Sequence, residues 1–110
     1  MKNKLALKRA KVNVRSLAAE ASIIREIIKK TNDANVKNDL HLHRLSKVRP
    51  EARLANLAIA FLKNKPKIVV EAKSDKPIDV KRLHSKLTIF CYGTDAKPPS
   101  FDDVQNWLKK

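Results

Sequence analysis

At 110 residues the chain has the length of one domain, and a fold of this size buries roughly two-thirds of the surface its unfolded chain exposes, enough for a real core. A single glycine, Gly93, leaves too few positions for the tight turns of an all-β domain, and five aromatics among 43% hydrophobic residues make the core aliphatic. The 25 Lys and Arg against 11 Asp and Glu give a formal charge of +14, well beyond the roughly 2 to 8 charges that keep a small domain soluble. That excess predicts an anionic partner.

Residues 1–15 carry Lys2, Lys4, Lys8, Arg9, Lys11 and Arg15 with few large apolar side chains, which predicts a basic arm, loosely helical or ordered on binding. A single helical domain is expected over 16–110. From Ser16 to about Thr31, Leu17, Ala21, Ile24 and Ile28 recur at helical steps, and Glu20, Arg25, Glu26, Lys29 and Lys30 fall on the outer face. Thr31 to Asn35 breaks the pattern.

Between Val36 and Lys63 the residues Leu42, Leu45, Val48, Ala52, Ala55, Ile59 and Leu62 keep helical phase straight across Pro50. Proline removes a backbone donor and disfavours helix at Arg49, so propensity argues for a break and periodicity for continuity. One long kinked helix is the expectation, and its alanine-rich second half offers close approach to another helix, within the fold or in a homodimer. Asn64-Lys65-Pro66 ends it.

Ile68-Val69-Val70 fits either a short extended segment near 67–72 or a short helix. Ser74 to Pro77 reads as a cap and early proline ahead of a helix marked by Val80, Leu83, Leu87 and Phe90 and stopped near Gly93. After Pro98-Pro99, Ser100 with Asp103 forms a capping-box pattern ahead of a last short helix bearing Phe101, Val104, Trp107 and Leu108. The fold class is therefore all-α, in the main: a small compact helical domain with a long kinked central helix and a basic N-terminal arm.

No constellation for catalysis stands out, and with one glycine there is no phosphate-cradling loop, so a non-enzyme without cofactor is expected. His41 and His43 sit two apart, where helical side chains diverge, and with His84 and Cys91 as the remaining soft ligands no metal site is expected. Cys91, alone among Ile89, Phe90 and Tyr92, reads as a buried thiol in a reducing compartment. No stretch approaches the length of a membrane span, and the start lacks a secretory apolar run. A cytoplasmic protein associated with nucleoid or ribonucleoprotein is expected, with the acid-free segment 1–19 leaving organellar import as the lesser alternative.

The basic clusters carry the functional expectation. Lys8, Arg9, Lys11 and Arg15 belong to the arm, while His41, Arg44 and Lys47 and then Arg49 and Arg53 form a platform on the long helix. These regions contain no aromatics, and all five rings read as core, so contact with the phosphate backbone of duplex DNA or structured RNA is favoured over base stacking on single strands. A helix-turn-helix built from 77–92 and 101–110 is disfavoured by the two prolines between them and by Asp102 and Asp103.

Leu42-His43-Arg44 through Val48-Arg49-Pro50-Glu51-Ala52-Arg53, with Leu57-Ala58 and Phe61-Leu62 after it and Leu17 to Arg25 before it, resembles a pattern in small basic helical proteins of phage and environmental origin. The resemblance covers residues 16–66 and implies a setting among mobile elements. Beside it stands a second expectation, drawn from the basic face itself: a phage-type inhibitor, or a ribonucleoprotein subunit, that docks this face on a partner protein or that partner's RNA.

Overall fold

The computed structural model describes residues 3–66 and 77–109, and among them every regular element is helical. Helix α1 spans Lys4–Lys30 and α2 spans Ala34–His43. A π-helical turn, Arg44–Val48, joins α2 to α3, Arg49–Leu62; α4 is Val80–Cys91 and α5 is Phe101–Leu108. The fold is all-α, with residues 34–62 as the long central helix. The 67–72 segment lies outside the described residues.

The expected boundary at residue 15 does not appear. Residues 4–15 are the first turns of a 27-residue helix, and Ala6 and Ala10 are fully buried. Alanine explains the difference: a side chain this small buries little area itself but lets α3 approach closely, where Ala55 and Ala58 are also fully buried. The close approach offered by the alanines of α3 is thus used inside the molecule. Asn3 anchors the start of α1 by donating from Nδ2 to the Leu62 carbonyl at 2.9 Å, which sets α1 antiparallel to α3.

The passage across Pro50 is continuous in backbone but not in face. His43, Val48 and Arg49 all have right-handed helical dihedrals, and Pro50 follows the π turn directly as the second residue of α3. The turn before it is widened: the Arg49 N–H reaches the Arg44 carbonyl, and Ser46 Oγ donates to the Leu42 carbonyl at 2.6 Å. A π turn takes up one extra residue. The upstream phase therefore slips, so that Lys37, Leu40 and Arg44 become half-buried while Leu42 and Leu45, predicted to line the core, are 64% and 49% exposed.

The remaining ends follow local chemistry. Asn64 takes the left-handed conformation after α3 (φ 57°), and the Lys65 N–H returns to the Ala60 carbonyl at 2.9 Å. The expected cap at Ser74 and Asp75 lies outside the described residues; α4 begins at Val80, where Asp79 caps it by accepting from the Arg82 N–H. Gly93, also left-handed (φ 71°), follows its end. Ser100 and Asp103 form the expected capping box on α5.

The core gathers at one end of the molecule. Ala6 and Ala10 of α1 meet Leu54, Leu57, Ala58 and Leu62 of α3, Leu83, Leu87, Phe90 and Cys91 of α4, and Val104 and Leu108 of α5. The C-terminal half of α1 and α2 extend beyond this base as a helical hairpin in which Ile24 is the single buried residue among those described. The described residues measure 48 × 29 × 20 Å, and their radius of gyration of 15.8 Å exceeds the about 13 Å of a compact domain this size.

Candidate nucleic-acid interface

Because α1 is one unbroken helix, its cations fall into register. Lys4, Lys8, Lys11 and Arg15 recur at steps of four, three and four, and after Ala18 and Ser22 the same line continues to Arg25 and Lys29. All six side chains are exposed. At 1.5 Å rise per residue the line from Lys4 to Lys29 is about 38 Å long, and the denser stretch from Lys4 to Arg15 about 17 Å. Lys29 lies 3.8 Å from Glu26; the other five form no ion pair among the described residues. At its N-terminal end the ridge meets the end of α3, where Asn3, Lys4, Leu7, Leu62, Lys63 and Lys65 line a common hollow.

Arg9, also expected at the interface, is used otherwise. Its Nη1 donates to the carbonyls of Tyr92 at 2.5 Å and Phe90 at 3.3 Å, at the end of α4. The last turn of α4 carries no basic residue of its own, so Arg9 supplies the positive charge that the helix dipole and its unpaired carbonyls favour there. Arg9 thus leaves the ridge and joins α1 to α4.

The platform expected on the central helix is divided. His41, Lys47 and Arg49 are exposed, but Arg44 is half-buried and its Nε has no hydrogen-bond partner among the described residues. With Arg44 turned inward by the π turn, helical spacing puts His41 and Lys47 on either side of it. Arg53 is also half-buried and donates from Nη1 to the Pro77 carbonyl at 3.2 Å. Of the residues named from sequence, Lys8, Lys11 and Arg15 are therefore brought together. Lys4, Arg25 and Lys29 complete their line, and the four-three-four spacing was the signal that would have found them.

No acidic residue lies within Lys4–Arg15, and Glu26 beside Lys29 is the acid nearest the line. Glu51 of α3 accepts from Arg82 and, at 2.9 Å, from Lys86 of α4. Lys86 also donates to Asn13 Oδ1 at 2.8 Å and sits over the Phe90 ring, 5.7 Å from its centre, so one ammonium ties together α1, α3 and α4. Its burial, and then the nearby Arg82 charge, hold it below the ordinary lysine value. Glu20 on α1 meets His43 at 2.8 Å.

The aromatics are not all core. Phe90 is buried, and Phe61 and Trp107 pack edge to face at 5.5 Å, with Trp107 Nε1 donating to the Lys65 carbonyl. Tyr92, expected inside, is 80% exposed because α4 ends before it and turns at Gly93. It lies beside Arg9, off the ridge. Among the described residues no group of His, Cys, Asp or Glu is arranged to hold a metal, and no helix is long and apolar enough to cross a membrane. No protein-family model, curated protein or solved structure matches the chain, and the resemblance of residues 16–66 to basic phage proteins gains no support from them.

Proposed function

We propose that this protein binds nucleic acid, laying the α1 ridge against the phosphate backbone of duplex DNA or structured RNA. One observation carries the reading: Lys4, Lys8, Lys11 and Arg15 stand in a single exposed line, unpaired with acids among the described residues, within a chain of net charge +14. Cations left unneutralised at this density repel one another, and a phosphate backbone removes that repulsion while releasing its own counterions. The ridge contains no aromatic residue on which a base could stack.

A binding titration against a duplex DNA and a hairpin RNA, repeated over a salt series, tests this. Each neutralised phosphate contributes about −0.9 to the slope of log affinity against log salt on a B-form duplex, so four to six ridge contacts predict a slope of roughly −4 to −5. Replacing Lys8, Lys11 and Arg15 by Gln makes the slope shallower by about 3 units, whereas Tyr92→Ala leaves it unchanged. Absence of binding to both probes at low salt overturns the reading.

A further inference from the structure

The charge of the molecule is zoned. In the hairpin formed by residues 16–43, Arg25, Lys29, Lys30 and Lys37 are balanced one for one by Glu20, Glu26, Asp33 and Asp39, so this part has no net charge. The excess of +14 belongs to the rest of the chain. The neutral hairpin also exposes large apolar side chains: Ile23 is 60% and Ile27 43% exposed, and they line a shallow hollow with Ser22, Glu26, Lys30 and Thr31.

We propose that this face is the contact between two copies of the chain, packed with their α1 helices antiparallel. The assignment to a second copy comes from the order of residues on the face. Glu20, Ile23, Ile27 and Lys30 are spaced three, four and three, which puts them on one side of the helix. Read in either direction, the pattern is charge, isoleucine, isoleucine, opposite charge.

A two-fold axis between residues 23 and 27 therefore sets Ile23 against Ile27 of the second copy and Glu20 against its Lys30, and repeats both contacts by symmetry. A parallel arrangement sets like charges together. Glu20 Oε1 is held by His43 at 2.8 Å, while Oε2 and the Lys30 ammonium have no partner among the described residues.

Charge zoning removes the main obstacle to such a pair. Two chains of +14 repel, but here the surfaces that meet are neutral and the cationic bases point away from one another along the antiparallel axis. A face of about three helical turns is at the small end of specific interfaces, so the pair forms reversibly with concentration.

Sedimentation velocity on nuclease-treated protein, from low to high micromolar, reads this directly and without nucleic acid. The expected result is a weight-average mass that rises from one chain toward two. Ile23→Glu or Lys30→Glu holds the protein monomeric, and combining Lys30→Glu with Glu20→Lys restores the pair; circular dichroism confirms the helical fold of each variant. Leu42→Glu, which changes an exposed leucine away from this face, leaves the association unchanged. A chain that stays monomeric throughout, or one whose self-association survives Ile23→Glu or is lost in Leu42→Glu, overturns the proposal.

Discussion

Residues 4–15 and 20–30 belong to the same helix, yet the two halves meet different surroundings. The first buries Ala6 and Ala10 completely against a core built by three other helices, and carries five cations and no acid on its remaining surface. The second buries Ile24 against α2 and the π turn, balances its cations with Glu20 and Glu26, and leaves Ile23 and Ile27 in water. The contrast teaches that like charges can be crowded onto a helix whose opposite face is held by a deep core. Where the supporting core is thin, the charges alternate.

The largest expected effect tests that difference in depth. Leu83→Ala, in the base, removes a fully buried side chain and is expected to cost about 2–5 kcal/mol, measured by urea unfolding followed by circular dichroism. Ile23→Ala, in the hairpin, is expected to stay within about 0.5 kcal/mol of the native protein. Equal costs at both sites would mean that the hairpin is as tightly packed as the base.

A smaller contrast separates two adjacent cations. Arg9→Gln loses the charge at the end of α4 and is expected to destabilise by about 0.5–2 kcal/mol with no change in the salt slope of nucleic-acid binding. Lys8→Gln is expected to do the reverse: unchanged melting and a slope shallower by about 0.9. If both variants shift the same quantity, the division of labour between neighbouring residues fails.

The last test uses thiol chemistry. Cys91 is 2% exposed, and its burial pushes the thiol up from its ordinary value despite the nearby Arg9 charge, so little thiolate forms near neutral pH. Its alkylation is expected to be slow and to accelerate only as urea opens the base. A cysteine introduced by Ile23→Cys on a Cys91→Ala background is expected to react, in protein dilute enough to be monomeric, at the rate of an unhindered thiol.

Much of this fold was legible in the sequence because its determinants are local. The Ser100 and Asp103 pair caps α5 where the pattern put it, and the apolar spacing of Leu83, Leu87 and Phe90 marks the buried face of α4. What escaped depends on contacts distant in sequence. Large apolar residues are scarce in 4–15, and that Ala6 and Ala10 suffice there follows only once the alanines of α3 are seen opposite them.

The candidate site was legible to a similar degree. Charge excess and spacing identify Lys8, Lys11 and Arg15, but nothing in composition tells a cation facing solvent from one holding the fold. Arg9, Arg44 and Arg53 turn toward backbone or core because α4 ends beside the first, the π turn rolls the second inward and Pro77 passes the third. The phase of Leu42 and Leu45 misled for a related reason, since a widened turn leaves no mark in a hydrophobic period.

The π turn at Arg44–Val48 amounts to one surplus residue in a helix that would otherwise be regular. Its effect resembles a frameshift, acting on faces rather than codons. Every side chain before it is rolled by about 100° relative to where an unbroken α-helix would have carried it. Shortening the chain by one residue within the turn would keep Lys37, Leu40 and Arg44 against α1 in an ordinary helix. Keeping the residue and regularising the helix would instead roll that face by the same angle, away from its present contacts with α1. The length of this short segment, more than the identity of any side chain in it, decides which face of α2 belongs to the protein and which to its surroundings.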